Sequence, residues 1–311
     1  MITVAGEALI DLLVDPSGSV TAVPGGAPFN VARTTARLGG ECRFLGRLSS
    51  DGFGRQLRRS LHQQHVHLAV SDATPAPTTL ALAQLDASGS ADYRFYLDGT
   101  SAGQLEPGDI PSEVLQCGDP FAFGGLGILI EPIASSLRWM LRQMPAQAIV
   151  ILDPNCRPRA VRSPASYRDM VAGFLARADV VKVSVDDLRF LCPRTDLRPA
   201  ARGLLEHGPT AVLVTDGPAP VIVHTIDAER SIPVPAVSIA DTVGAGDAFV
   251  AGFLTWWSGC GLSREDLSDA ERLARATAAA VEVAAATCTA HGANLPAGFR
   301  WSHAPVPQLS M

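Results

Sequence analysis

The sequence has 311 residues, of which 47% are hydrophobic and 18% charged, with a formal net charge of −6. This composition is that of a packed globule with one large α/β domain, and the acidic charge disfavours nucleic acid as a partner. Any bound phosphate therefore needs a local device such as a helix N-terminus. The N-terminus has no basic region, the apolar run Ala248–Trp257 is too short to span a membrane, and the six cysteines are scattered. We expect a cytoplasmic protein with free thiols, no zinc site and no membrane partner.

The first hundred residues predict α/β elements interrupted by two hairpin-like pieces. These pieces lie near residues 12–22 and 76–98, and the second contains the turn Ala87–Ser90. We expect them to form one small β-sheet over the main domain, and we call this sheet the lid. The predicted elements are strands at Val4–Ile10, Cys42–Leu48, Thr78–Leu85 and Tyr93–Leu97, a helix from Pro28 to Leu38 and a helix from Asp51 or Gly52 toward Gln64.

From about residue 120, predicted strands and helices alternate regularly, which indicates parallel strands with right-handed crossovers and a layered α/β fold. The predicted domain covers residues 1–298, and the tail 299–311 is expected to be loose. The predicted strands are Pro120–Phe123, Ala148–Leu152, Val180–Val183, Ala211–Thr215 and an antiparallel edge pair at Pro220–His224 and Arg230–Pro233. The predicted helices are Ile133–Gln143, Pro164–Ala176, Val185–Leu191, Pro199–Glu206, Ala245–Trp257 and Ala270–Thr287.

The segment Asp241–Phe249, with sequence DTVGAGDAF, carries the strongest chemical signal. Its two glycines precede an apolar helix, so the N–H groups of roughly residues 244–247 point outward and form an anion site. Such a site could stabilise charge on a transferring phosphoryl group. The Asp247 carboxylate is unfavourable there unless it accepts a proton from an incoming hydroxyl. The alternative is a glycine-rich loop in which Asp247 caps the helix.

These residues resemble the ribokinase-like (PfkB) family. Asp241–Asp247 resembles its DTxGAGD signature, and residues 25–32 resemble its GGxxxNvA signature. Residues 6–11 resemble its first strand, and residues 46–54 fit its G-x(4)-D-x-F-G stretch. The resemblance runs in family order from about residue 2 to residue 297.

The resemblance implies a ribokinase-like three-layer sandwich with a mostly parallel central sheet and a β-sheet lid. It also implies transfer of the γ-phosphoryl group of ATP to a primary hydroxyl of a small sugar, with Mg²⁺ as cofactor. Asp247 would be the base, and the backbone of Gly244, Ala245 and Gly246 would form the anion hole. The residues that would contact the sugar in these motifs are Asp11, Gly25, Gly26 and Asn30.

Asp153–Arg157, with sequence DPNCR, follows a predicted buried strand. Its polar side chains converge at the carboxyl end of that strand, where open α/β sheets bind ligands. A strand-to-helix turn with Asx hydrogen bonds is the alternative. The fructokinase and keto-deoxygluconate kinase branches of the family carry the same DxNxR pattern, which implies phosphate and sugar contacts by Asn155 and Arg157.

The nucleotide side of the family site has three similar stretches here. These stretches are Lys182–Asp187, Thr215–Gly217 and Gly292–Asn294. Together with two glycines of the DTVGAGD segment, they imply nucleotide contacts by Lys182, Ser184, Thr215, Gly217, Gly244, Gly246, Gly292 and Asn294. Lys182 is the only lysine in the chain. Asp187 stands where the family usually has Glu; it either positions the magnesium through water or belongs to an acidic first helical turn. Pro220 stands where the family often has Gly. A K⁺ ion near Asp241 and Val243 is left open.

The substrate prediction depends on the lid strand Tyr93–Ala102, where Tyr96 and Asp98 are expected over the sugar. Keto-deoxygluconate kinases usually place an Arg at the position of Asp98 to hold the substrate carboxylate. Because carboxylates repel each other, we predict a neutral sugar, most readily fructose. The alternatives are a keto-deoxygluconate kinase, a ribokinase or nucleoside kinase, and a catalytically inactive sugar-binding regulator, and Asp247 favours an enzyme. By family analogy alone, a homodimer joined through the lid is open.

Overall fold

The computed structural model describes residues 1–85 and 91–305, so the predicted turn Ala87–Ser90 and residues 306–311 lie outside the described residues. Within those ranges, the strands are β1 (Ile2–Ala5), β2 (Leu9–Val14), β3 (Val20–Gly25), β4 (Cys42–Leu45), β5 (His67–Leu68), β6 (Leu80–Leu85), β7 (Ala91–Tyr96), β8 (Phe121–Gly124), β9 (Val150–Asp153), β10 (Val180–Ser184), β11 (Ala211–Asp216), β12 (Ala219–His224) and β13 (Glu229–Ile232). The helices are α1 (Ala27–Arg37), α2 (Gly52–Gln63), α3 (Ser112–Gln116), α4 (Ile133–Gln143), α5 (Pro164–Leu175), α6 (Val185–Leu191), α7 (Leu197–Leu205), α8 (Ala245–Gly259) and α9 (Ala270–Thr287).

Nine strands form the central sheet in the order β13-β12-β11-β10-β9-β8-β1-β4-β5. The pairs from β11 to β5 are parallel, whereas β12 and β13 are antiparallel additions at one edge. The middle strands are apolar runs buried on both faces, which is typical of a parallel sheet covered on both sides. One apolar cluster packs α1, α2, α8 and α9 on one face, and a second packs α4 to α7 on the other. The predicted three-layer α/β fold is confirmed.

The lid is a separate four-stranded sheet in the order β3-β2-β6-β7. Strand β2 pairs antiparallel with β3 and parallel with β6, and β6 pairs antiparallel with β7. Its strands agree with the two hairpin-like pieces expected from the sequence. Among the described residues, no helix has the length and apolar character needed to cross a membrane.

The prediction of one strand over Val4–Ile10 is wrong, because the chain forms two strands in different sheets there. Strand β1 belongs to the central sheet and β2 to the lid. Gly6 turns the chain between them with φ 143°, and a Cβ at this position would lie 2.5 Å from the Pro28 ring. The apolar run is continuous in sequence, but the tight approach of α1 forces the break.

Residues 301–303 of the C-terminal segment are hydrogen-bonded to α9, although Arg300, Ser302, His303 and Ala304 are exposed. Trp301 Nε1 donates to the Ala279 carbonyl at 3.2 Å, and the Glu282 carboxylate accepts from the backbone of Ser302 at 2.7 Å and of His303 at 3.1 Å. These contacts hold three residues of the tail, and the expectation of a loose tail over residues 299–311 stays a prediction. The segment has no hydrophobic periodicity, so its sequence did not predict the hydrogen bonds to Ala279 and Glu282 on α9.

Candidate active site

A cavity of about 680 Å³ lies between the lid and the carboxyl ends of the central strands. Parallel strands present their loops and following helices at this edge, which is where open α/β sheets bind ligands. Of the predicted site residues, those that line the cavity are Asp11, Gly26, Asn30, Asn155, Arg157, Lys182, Ser184, Asp187, Thr215, Val243, Gly244, Gly246 and Asp247. The fold therefore brings together motifs separated by more than 200 residues.

Asp247 lies in the first turn of α8 and is 7% exposed. Its Oδ2 accepts a hydrogen bond from Asn30 Nδ2 at 2.9 Å, and Asn155 Nδ2 lies 3.5 Å from its Oδ1. Burial raises the pKa of Asp247 to about 6, although the Asn30 hydrogen bond and the charges of Arg157 and Lys182 oppose that rise. The carboxylate thus has a pKa close enough to neutral pH to accept a proton, and its hydrogen bonds fix its orientation, as a general base requires.

The N-terminus of α8 has the free N–H groups that the predicted anion site requires. Gly244 adopts the left-handed conformation (φ 78°, ψ 0°), and its α-carbon packs too closely on Ala293 for any side chain. Within the described chain, the N–H groups of Gly244 and Gly246 have no acceptor, whereas Ala245 donates to the Thr242 carbonyl at 3.3 Å. The free donors and the helix dipole favour a negatively charged group at this end of the cavity.

Lys182 supplies a buried positive charge beside that site. Its Nζ donates to Asp153 Oδ2 at 3.0 Å and would lie 2.8 Å from a Cβ on Gly246. Burial alone disfavours the ammonium, but the negative charges of Asp153 and nearby carboxylates outweigh it and raise the pKa of Lys182. The ammonium therefore stays charged within reach of a phosphate bound at α8.

Asp187 acts as a structural cap, which is the alternative that the sequence left open. Its Oδ2 accepts from the Ser184 backbone at 2.8 Å and from the Ser184 hydroxyl at 2.7 Å, completing a capping box at α6. Its Oδ1 accepts from the Cys156 backbone at 2.7 Å. Both oxygens are thus engaged by the protein, and the short side chain holds the DPNCR turn in place. Asp187 also lines the cavity, and its expected role in positioning a metal through water stays a prediction.

Of the residues predicted to contact the sugar, Asp11, Gly26 and Asn30 line the cavity. Asp11 packs directly over Gly25, where any side chain would collide with its carboxylate. Burial raises the pKa of Asp11 to about 6, and the Arg157 charge partly offsets this rise. In the described chain, Asn30 Oδ1 is buried without a hydrogen-bond partner and is free to accept from an incoming hydroxyl. Gly25 itself does not line the cavity and instead makes room for Asp11.

The DPNCR turn contributes the side chains of Asn155 and Arg157 to the cavity wall. Asn155 adopts a positive φ of 42°, and its Oδ1 accepts from Arg157 at 2.5 Å. This strained conformation directs the Asn155 amide toward Asp247, in keeping with a functional position.

Tyr96 and Asp98 do not line this cavity, so their predicted placement over the sugar is corrected. Side chains alternate along a strand, and on β7 the inward residues are Tyr93 and Phe95, whose rings stack with centroids 6.1 Å apart. Tyr96 is 55% exposed, and Asp98 points outward to pair with Arg162 at 3.2 Å. The sequence predicted that side chains alternate between the two faces of β7, but it did not predict that the odd-numbered residues face the cavity.

Glu7 is a site residue that the sequence analysis missed. It is buried and lines the cavity, where it accepts from the Gly127 backbone at 2.9 Å and from the Ala27 backbone at 3.3 Å. Burial raises the pKa of Glu7 to about 7 against the opposing backbone hydrogen bonds. Its carboxylate joins the start of α1 to the turn at Gly125–Ile128. A glutamate in an otherwise apolar run was the available signal.

The remaining predicted nucleotide residues lie beyond the cavity wall. Gly217 lies in the turn after β11, and Gly292 donates its N–H to Asp241 Oδ2 at 2.8 Å. Asp241 Oδ1 accepts from the Val243 backbone at 3.0 Å, so this carboxylate links the segment before α8 to the turn after α9. Asn294 accepts from Arg33 rather than facing the cavity.

The comparisons with known proteins agree with this architecture. Residues 1–298 match the pfkB family carbohydrate kinases. A fructokinase of Klebsiella pneumoniae is 36% identical over 262 residues, covering 81% of this chain and 83% of that protein. The chain belongs to the pfkB family of carbohydrate kinases.

Two solved structures show the same fold. The fructokinase of Xylella fastidiosa with bound ATP superposes with a TM-score of 0.84 at 29% identity, covering 94% of this chain and 93% of that one. A double mutant of the Vibrio cholerae fructokinase, bound to fructose, ADP and potassium, superposes with a TM-score of 0.81 at 27% identity, covering 98% and 94%.

Proposed function

We propose that this chain is an ATP-dependent fructokinase that transfers the γ-phosphoryl group to a primary hydroxyl of fructose. The observation that carries the proposal is the position of Asp247: a buried, oriented carboxylate at the helix N-terminus whose free N–H groups form an anion site. Burying a carboxylate in that position costs folding free energy. A role as the catalytic base accounts for its presence there. Fructokinases among the relatives of this chain support the sugar.

The residues divide into three roles. Asp247 accepts the hydroxyl proton as the bond to the γ-phosphorus forms and the bond from that phosphorus to the bridging oxygen of ADP breaks. The N–H groups of Gly244 and Gly246, with Lys182, stabilise the charge on the transferring group. Asn30 and Asp11 bind sugar hydroxyls and hold the acceptor oxygen in line with the phosphoryl group.

The cofactors follow from the donor groups present. ATP fits a site with backbone N–H donors and a buried ammonium. Mg²⁺ would be held through the phosphates and water, neutralising charge on the triphosphate. For a K⁺ ion, the junction of Asp241 with the turn at residues 288–292 offers backbone carbonyls, and the Vibrio cholerae fructokinase binds potassium.

A neutral acceptor is favoured by the charges at the sugar end. Glu7, Asp11 and Asp247 all line the cavity, and a substrate carboxylate would add a negative charge beside their carboxyl groups. Asp98 does not contribute to this preference, because its side chain points away from the cavity and pairs with Arg162. Arg157 is one of the cationic side chains that line the cavity, and it keeps keto-deoxygluconate as the second candidate.

The test is an assay of ADP release with fructose, keto-deoxygluconate, ribose and a nucleoside side by side. We expect kcat/KM for fructose to exceed the others by at least about tenfold. A preference for keto-deoxygluconate would overturn the sugar assignment. ADP release with none of the panel would favour the sugar-binding regulator instead.

A further inference from the structure

Helix α1 carries two polar side chains one turn apart that reach different parts of the site. Asn30 donates to the Asp247 carboxylate at 2.9 Å. Arg33, three residues later, donates from Nη2 to Asn294 Oδ1 at 2.9 Å. Residues at this spacing lie on one face of a helix, so α1 contacts both the base and the turn after α9.

That turn, residues 291–294, is also fixed to the start of α8. Gly292 donates to Asp241 Oδ2 at 2.8 Å, and Ala293 packs against the α-carbon of Gly244. Contacts therefore form a closed ring from α1 through Asp247 to the α8 N-terminus, then through the turn and back to Arg33. Within this ring, the Arg33–Asn294 hydrogen bond is the side-chain link between α1 and the turn.

The surroundings of Arg33 favour this link over free solvation. The guanidinium lies over the Phe29 ring, 5.4 Å from its centroid, and its buried Nε has no partner among the described residues. The guanidinium is partly buried, with its Nε out of contact with solvent, and among the described residues its Nη2 donates to Asn294 Oδ1. Arg33 thus has a fixed direction rather than a mobile surface conformation.

We propose that Arg33 is a positioning residue that sets the turn at residues 291–294 against the N-terminus of α8 and thereby shapes the nucleotide end of the site. This inference rests on the proposed function, since it assumes that ATP and ADP bind beside that turn. Arg33 itself does not line the cavity, so it would act through Asn294 and Ala293. Loss of Arg33 should therefore weaken nucleotide binding and leave sugar binding unchanged.

The test is calorimetric titration of the full chain with ADP and Mg²⁺, and separately with fructose. The variants are Arg33→Met, which keeps the apolar stem over Phe29, Asn294→Ala and the double variant. Arg37→Met is the matched control, because Arg37 is exposed in the last turn of the same helix. We expect each single variant to raise the Kd for ADP by about 5–10-fold. The Kd of the double variant should not exceed the larger of the two single-variant values, because both changes remove the same hydrogen bond. The Kd for fructose should stay within about twofold of the parent value.

Three results would overturn the proposal: an unchanged Kd for ADP in Arg33→Met, additive losses in the double variant, or equal losses for ADP and fructose. If Arg33→Met does not fold, Asn294→Ala and Arg33→Lys decide the question by the same criteria. Turnover with fructose is measured on the parent in parallel. Absence of turnover would count against the proposed fructokinase, whereas the ADP affinities alone decide the role of Arg33.

Discussion

Asp247 is the residue whose environment the proposed chemistry depends on most. Burial raises its pKa to about 6, while Asn30 and the neighbouring cations stabilise its charged form. A base with this pKa is ionised at neutral pH yet retains useful proton affinity. Two consequences can be measured separately, one on activity and one on stability.

The first consequence is a pH dependence of activity. We expect kcat/KM with fructose to fall by about tenfold per pH unit below about pH 6, because protonated Asp247 cannot accept the hydroxyl proton. Asp11 also has its pKa raised to about 6, so kcat at saturating fructose separates the base from the sugar contact. A profile that stays flat down to pH 4.5 would contradict the role of Asp247.

The second consequence is a pH-dependent cost to folding. The pKa of Asp247 is higher in the folded state than its ordinary value of 3.8, so the ionised carboxylate destabilises the fold as pH rises through this window. Asp247→Asn should therefore be more stable than the parent at pH 8, by about 1–2 kcal/mol after the weaker amide hydrogen bonds are counted. This gain should vanish by about pH 4 in denaturant titrations. A variant that is less stable at both pH values would show that the burial cost is overestimated.

Lys182 offers a test of close packing at the same scale. Its Nζ donates to Asp153 Oδ2 at 3.0 Å beside Gly246, a position that suits a compact ammonium better than a planar guanidinium. Lys182→Arg should lower stability by about 1–3 kcal/mol and kcat/KM by about tenfold or more. The matched control is Arg189→Lys, an exchange at an exposed ion pair with Asp186. If Lys182→Arg has the melting temperature and kcat/KM of the parent, position 182 does not require a lysine and its occurrence there is due to chance.

At the scale of elements, the lid shows what strand patterns do and do not reveal. The apolar segments predicted its strands within a few residues, but the face that covers the cavity depends on β7 pairing with β6. A shift of one residue exchanges the two faces, and the sequence alone does not fix that parity. Tyr93 and Phe95 therefore replaced Tyr96 as the residues over the site.

The lid assignment predicts a clear difference between neighbouring aromatic residues. Tyr93→Leu or Phe95→Leu should raise the KM for fructose by about tenfold, because each removes an aromatic face over the sugar end. Tyr96→Leu, on the outward face of the same strand, should leave KM unchanged. Equal KM values for all three variants would place the sugar away from the inner face of β7.

The sequence predicted the bounds of several helices, but it did not predict the role of the residue that caps α6. Helices α4, α6 and α9 begin and end where the sequence placed them, since their apolar periodicity and turn residues agree. The role of Asp187 needed the structure, because a capping carboxylate and a metal-positioning carboxylate have the same residue type and local spacing.

At the scale of the whole molecule, regular alternation of strands and helices predicted a layered α/β fold, and the family resemblance implied its three layers. The glycine-rich segment at α8 located the anion site, because its chemistry is local. Contacts between distant segments were not predictable in the same way. Arg33 and Asn294 are 261 residues apart, and Glu7 binds the Gly127 backbone 120 residues away, so only the folded chain reveals either pair.

The most direct test of the central claim is the rate of ADP formation with saturating ATP and fructose for the parent, Asp247→Asn and Asp227→Asn. Asp227 is an exposed turn residue and controls for the loss of one surface carboxylate. We expect Asp247→Asn to lower kcat by about 10²–10⁴-fold, with the Kd for fructose within about threefold of the parent and Asp227→Asn unchanged. Retention of kcat within about tenfold of the parent in Asp247→Asn would contradict the assignment of Asp247 as the base.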